Sequence, residues 1–264
     1  MDGFVIVNGE LTGYYGEEKD IVIPNNVKMI GAKAFNENKI IKSVEIPEGV
    51  ETIGFATFAK CASLKKVEIP NSVNSIRGNA FSECKSLVSF EVGTENKIYK
   101  SIDGNLYGNS KDGMELLYYC VAKKEESFQV PEGVNIINRY AFTNGKNLKS
   151  IVIPNSTVTI GMCAFLGCKR LESVEISSGM EYIGWDAFRN CSSLTSINIP
   201  NTVFEIGMQA FRNCSSLASI EIPESVIEIG SDAFYECPLL TIKGKAGSYA
   251  EQYANDNKIP FSRI

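Results

Sequence analysis

The sequence predicts an α/β solenoid, a stack of 23-residue coils, on the strength of three residue ladders. Pro24, Pro47 and Pro70 are 23 residues apart, and Pro131, Pro154, Pro200 and Pro223 keep the same grid, with Ser177 in the vacant place. Phe35, Phe58 and Phe81 repeat at the same interval, as do Phe142, Phe165, Phe188, Phe211 and Phe234; Ala precedes each one except at Thr57. Cys61, Cys84, Cys168, Cys191, Cys214 and Cys237 form the third ladder, with Asn38 and Gly145 as exceptions. A fixed period of this length marks a solenoid, because a single coil cannot bury its own apolar face and must stack on its neighbours.

Ahead of the first coil, Phe4 to Tyr15 reads as two short strands around Asn8-Gly9, a dipeptide suited to the positive φ angles of a hairpin turn. The coils follow at 21–43, 44–66, 67–89, 90–127, 128–150, 151–173, 174–196, 197–219 and 220–242. Within the coil Leu194 to Cys214, Ile197 and Ile199 form a period-2 pair and point inward, while Ser196 and Asn198 point out. Pro200 has no N–H to donate and ends the strand. Val203 and Ile206 make a second inward contact, and Gly207 permits a tight corner. Ala210, Phe211 and Cys214 have the spacing of one short helical turn facing inward. Each buried Phe is expected to contribute on the order of 1.5–3 kcal/mol. Strands about 4.8 Å apart opposite helical turns that need roughly 8–10 Å would bend the stack, with the parallel strands on the concave side.

Only the fourth coil departs from the period, with 38 residues. Its surplus, Leu106 to Tyr118 around Asn109-Ser110-Lys111-Asp112-Gly113, predicts a protruding hairpin, either a binding flap or a patch over a break in the stack. After the last coil, Ser248 to Asn255 reads as a short helix with Ser248 as N-cap. The expected organisation is one solenoid domain over 1–264: an N-terminal cap at 1–20, three repeats at 21–89, the irregular repeat at 90–127, five repeats at 128–242 and a C-terminal helical cap at 243–264. Covers at both ends are expected of a complete solenoid.

Composition narrows function. The net charge of −5 disfavours nucleic acid. No apolar run reaches the ~18 residues of a membrane span, and Met1-Asp2-Gly3-Phe4 does not begin a signal peptide. The chain has no histidine, which removes the usual general base, metal ligand and triad partner. The cysteines lack C-x-x-C spacing, so reduced, buried thiols are expected, with metal binding or occasional disulfides as the alternatives. Cys120 and Cys163 are off the ladder, and Cys163 is expected to be a partly exposed thiol. No P-loop, G-x-S-x-G or G-x-G-x-x-G occurs. Asp103-Gly104-Asn105 and Asp112-Gly113 read as turns rather than calcium loops. The expectation is therefore no enzyme, no cofactor and no metal.

Candidate binding residues occupy the irregular positions. After successive Ile-Gly pairs stand Met162, Trp185 and Met208, with Val158, Tyr182, Phe204 and Ile227 close by; coils two and three carry Thr52, Ser75 and Gly78 at comparable places, with Phe55 as an exception. Clustered exposed aromatic and methionine side chains mark interaction surfaces, although the same side chains could lie flat over the coil edges. Arg189 and Arg212 are expected to form a basic rim. A second candidate is a concave acidic column, Glu45, Glu68, Glu91, Glu175 and Glu221, interrupted by Val152 and Asn198; the alternative is a solvated face relieved by the neighbouring column that includes Lys66.

The unit I-P-x-x-V-x-x-I-G-x-x-A-F-x-x-C, the interruption Tyr99 to Tyr107, and the stretch Gly244-Lys245-Ala246-Gly247-Ser248-Tyr249-Ala250-Glu251 through Ile259-Pro260-Phe261 together resemble the BspA-type leucine-rich repeat. The resemblance implies a leucine-rich-repeat solenoid and a microbial cell-surface or secreted adhesin. Such a protein would bind extracellular-matrix proteins such as fibronectin and fibrinogen, or other cells. Alternatives are a glycan-binding surface protein, with Trp185 and Tyr182 stacking on sugars, and a cytoplasmic protein-interaction scaffold. A glycosidase using the acidic column is a further, weaker reading.

Overall fold

The computed structural model describes residues 3–264, which form two compact units, 3–109 with Leu117–Lys123 and Ser110–Leu116 with Lys124–Ile264. The first unit opens on the expected hairpin. Phe4–Val7 and Glu10–Tyr14 pair antiparallel about Asn8 and Gly9, whose φ angles are 50° and 79°. Glu10–Tyr14 then begins a parallel ladder through Met29–Ile30, Thr52–Ile53 and Ser75–Ile76. A second ladder runs through Asp20–Val22, Ser43–Glu45, Lys66–Ile69 and Ser89–Val92. Register equals the repeat: Val44 faces Val67, and Ile53 faces Ile76. Between the ladders the prolines do more than stop a strand. The carbonyls of Pro24, Pro47 and Pro70 accept from the N–H groups of Val27, Val50 and Val73, closing the turn that sends the chain from one sheet to the other.

In the second unit one ladder joins Val134–Ile137, Thr159–Ile160, Tyr182–Ile183, Glu205–Ile206 and Glu228–Ile229. The other joins Ser127–Gln129, Ser150–Ile153, Ser173–Ile176 and Ser196–Ile197. Ser219–Glu221, Thr241–Gly244 and Phe261–Arg263 form a further parallel sheet. The helix Tyr249–Asp256 lies between the last two of these strands, and Ser248 caps it as expected by accepting from the Glu251 N–H. Tyr253 sets its ring edge-on to Phe234 at 6.0 Å.

The Phe-bearing segments differ from expectation, because they are not helical; among the described residues the only helix is Tyr249–Asp256. Each coil instead makes a turn containing two left-handed residues, such as Asp186 (φ 54°) and Asn190 (φ 62°), or Gln209 (φ 55°) and Asn213 (φ 59°). A helix would spend its N–H groups inside the coil. Here alternate N–H groups cross to the next coil: Phe165 donates to Ala187, Phe188 to Ala210, and Asn190 to Arg212. The turns thereby stack at strand-like spacing. Phe142, Phe165, Phe188, Phe211 and Phe234 lie with successive centroids 4.7–5.3 Å apart and interplanar angles of 15° or less. The spacing difference from which a bend was expected is therefore missing within the repeats.

In the first unit the stack runs Phe4, Tyr14, Phe35, Phe58, Phe81 and ends edge-on against Tyr118 and Phe90. The extra residues of the fourth coil contribute to this core. Tyr99–Ile102 pairs antiparallel with the start of Asn105–Ser110 through a turn at Asp103-Gly104. Strands form on both expected flanks, Asn105–Ser110 and Gly113–Tyr118. They do not make the protruding flap: Asn105, Leu106, Tyr107 and Gly108 are buried, and only Asn109 to Asp112 is fully exposed.

Candidate functional site

The apolar stripe is assembled by the turn ladder. Cys163 donates its N–H to Trp185 and Asp186 donates to Met208, so Met162, Trp185 and Met208 stand at equivalent places on adjacent coils. A parallel row beside them is fixed by Phe204 donating to Glu181 and Ile227 to Phe204. Trp185 is 50% exposed, Phe204 42%, Met208 40% and Ile227 69%, while Met162 and Tyr182 are half-buried. Four large apolar side chains on neighbouring coils are a patch rather than scattered exposure. Trp185 is held on its inner side, since a Cβ at Gly207 would come within 2.6 Å of its Cδ1. Glycine is needed at 207, as at Gly161, Gly184 and Gly230, because the backbone of the preceding coil approaches it closely, and the indole uses the same gap while half of it stays free.

Arg189 and Arg212 do not stand free as a basic rim. Arg189 bonds Asp186 at 3.1 Å and Gln209 at 3.1 Å, tying two coils together. Arg212 lies over the Tyr235 ring at 4.9 Å and approaches Glu236 at 4.0 Å. Cys163 is likewise not the exposed thiol expected from its place in the sequence. It is 7% exposed, although the equivalent left-handed residues Lys33 and Asp232 are exposed. Burial, with a smaller contribution from the Asp186 carboxylate, pushes its pKa up.

The acidic column divides. Glu45, Glu68 and Glu91 are register partners on adjacent strands of the first unit. Lys66 bridges Glu68 at 2.8 Å and Glu91 at 2.9 Å, so the row carries its own counter-charge. In the second unit Val152 faces Glu175, and Asn198 bridges to Glu221, which keeps the two acids apart. Glu175 lies on the ladder Ser127–Gln129 to Ser196–Ile197, and Tyr182 on the other. The two candidate surfaces of this unit therefore belong to different sheets.

A feature that sequence reasoning missed adjoins the stripe. Glu205 and Glu228 are register partners, with Tyr182 preceding them in the same row. Partial burial, then the Glu228 charge, raises the pKa of Glu205. The signal was available as Phe204-Glu205-Ile206-Gly207 and Ile227-Glu228-Ile229-Gly230, one period apart.

The cysteine ladder has a bonding role beyond packing. Cys61, Cys84, Cys168, Cys191, Cys214 and Cys237 each direct the thiol to the carbonyl of the Phe one coil earlier, at 3.1–3.2 Å. All eight cysteines are free. Burial pushes Cys61 and Cys168 up to about 12, so their thiols stay protonated and act as donors. Among the described residues no three Cys, Asp or Glu side chains gather as metal ligands, and no helix is long and apolar enough to cross a membrane.

Two stacked parallel ladders per unit, a phenylalanine spine and a 23-residue register define a leucine-rich-repeat solenoid. The sequence pattern of the BspA type leucine rich repeat region matches residues 14–112 and 117–258 in six copies, and the chain belongs to that family. A leucine rich cell surface protein from Faecalibacterium prausnitzii is 26% identical, with a TM-score of 0.68 over 95% of this chain and 94% of that one. A leucine-rich repeat protein from Bacteroides ovatus is 26% identical, with a TM-score of 0.61 over 93% of this chain and 66% of that one. The pneumococcal vaccine antigen PcpA shares the fold at 19% identity, with a TM-score of 0.70 over 96% of this chain and 83% of that one. No curated protein matches the chain in sequence.

Proposed function

We propose that the chain is a non-catalytic protein-binding module of a bacterial cell-surface or secreted protein, an adhesin for host matrix proteins or other cells, and that it binds through the stripe centred on Trp185. The observation that carries the reading is the half-exposed indole, set against Gly207 and flanked by Phe204 and Met208 of the next coil. Aromatic and methionine side chains held rigidly on a surface lose little entropy when a partner covers them, which is what makes such residues binding hot spots. The 26%-identical cell surface protein of F. prausnitzii supports the location. The protonated thiols, and arginines already engaged within the protein, support a binding role over chemistry.

Immobilised fibronectin and fibrinogen are the first ligands to test. Trp185→Ala is expected to weaken capture by about 30-fold or more, the scale of a hot-spot residue. It should change the stability of this half-exposed site by less than about 1 kcal/mol. Capture that is unchanged in a folded variant removes the stripe from consideration. Retained capture of glycans on an array, without binding to either matrix protein, would favour sugar stacking on Trp185 and Tyr182.

A further inference from the structure

The other row of carboxylates in register, Glu45, Glu68 and Glu91, carries its own cation, and single surface carboxylates are paired as well. Lys66 serves Glu68 and Glu91, Lys60 serves Glu37, and Lys149 and Arg170 both serve Glu126. The row beside the apolar stripe is different. Among the described residues no lysine or arginine forms an ion pair with Glu181, Glu205 or Glu228. The nearby cations are committed, Arg189 to Asp186 and Gln209, and Arg212 to Tyr235 and Glu236. Glu205 and Glu228 face one another across adjacent strands, where like charges in register destabilise a sheet. The partly buried Glu205 carboxyl is pushed upward by that burial and by its neighbour, a strain that an incoming cation would relieve.

We propose that the segment seated on the stripe is a cationic, amphipathic stretch of polypeptide, with apolar side chains on Trp185, Phe204, Met208 and Ile227 and lysine or arginine side chains against Glu205 and Glu228. This rests on the reading of the stripe as the binding surface and supplies its chemistry. Apolar contact gives the area, and the unmatched carboxylates select against acidic partners. Glu181, exposed and next to Phe204 in its row, extends the same field.

Trp185 is the only tryptophan in the chain, so its fluorescence reports this site alone. The probes are two synthetic peptides with identical apolar residues, one with lysine at every polar position and one with glutamate. The lysine peptide is expected to blue-shift Trp185 emission, with an affinity that falls as salt rises, and the glutamate peptide to leave the emission unchanged. The double variant Glu205→Gln/Glu228→Gln is expected to weaken the lysine peptide about five- to tenfold, the scale of two partly screened ion pairs. Equal binding of both peptides at Trp185 overturns the cationic partner, as does lysine-peptide affinity that survives the double variant. Either result leaves the stripe itself in place. The stripe falls by a separate result, matrix-protein capture that is indifferent to Trp185→Ala.

Discussion

Replacing Phe188 with alanine is expected to cost the second unit about 3–5 kcal/mol, the range for deleting a large side chain from a close-packed core. Phe188 is fully buried, with its ring 5.0 Å from that of Phe165 and 5.2 Å from that of Phe211. Truncation removes its own burial and both stacking contacts, and it leaves a cavity with little means of collapse. The backbone on either side is pinned by the bonds from Phe188 to Ala210 and from Phe165 to Ala187, so neighbouring coils cannot close the gap without breaking their ladder. Denaturant unfolding, followed by a probe in the second unit such as Trp185 emission, measures the loss. Phe35, 2% exposed and stacked 4.9 Å from Phe58, is the matching position in the first unit. A Phe188→Ala loss below about 1 kcal/mol would mean that the stack is not the spine of the fold.

How far the sequence led follows from which residues repeat. Inward positions repeat because every coil meets the same neighbours, so the ladders of Pro24, Phe35 and Cys61 carry the register in the sequence itself. Turn conformation was hidden for the complementary reason. The first left-handed position of each turn holds Lys33, Ala56, Asn79, Tyr140, Cys163, Asp186, Gln209 or Asp232, with no glycine among them to flag the positive φ, and the second holds glycine only at Gly167. What stabilises those residues is bonding to the next coil, which a window along the chain does not see. The short helical turns expected there followed from Ala210, Phe211 and Cys214, whose spacing suits a helical face and an inward turn equally well. The surface divides in the same way. Trp185 and Met208 were legible because they are irregular residues at regular places. Arg189 was not, because its partners include Gln209, 20 residues later and on another coil. Cys163 was misplaced because the same place is exposed at Lys33 and Asp232, and the neighbour that meets this thiol, Tyr140, lies one coil earlier in the sequence.

The cysteine ladder carries the second large effect, an alkaline limit on stability. Each ladder thiol is a protonated donor to a buried Phe carbonyl, and burial holds its folded pKa above the ordinary value of 9: about 12 for Cys61 and Cys168, about 11 for Cys237, and well above 9 for Cys191. The folded state therefore binds the thiol proton more tightly than the unfolded chain does. That preference contributes fully below about pH 9 and is lost progressively as pH rises through the folded values. Thermal unfolding should accordingly show a Tm insensitive to these thiols near neutrality and falling steeply from about pH 9 to 12, as the thiolates formed on unfolding draw the equilibrium over. Tyr253, whose burial raises its hydroxyl from 10.0 to about 12, acts in the same direction, so the thiols must be separated from it. Cys191→Ala/Cys214→Ala does so. The pair should lose about 1 kcal/mol or more per site at neutral pH, because the carbonyls of Phe165 and Phe188 lose a donor. Above about pH 9 its Tm should fall less steeply than that of the parent protein. Parallel alkaline slopes for parent and variant would show that these thiols titrate alike in the folded and unfolded states, against the effect of burial. A shallower slope in the variant would show that burial keeps these ladder thiols protonated in the folded state well above the ordinary thiol range.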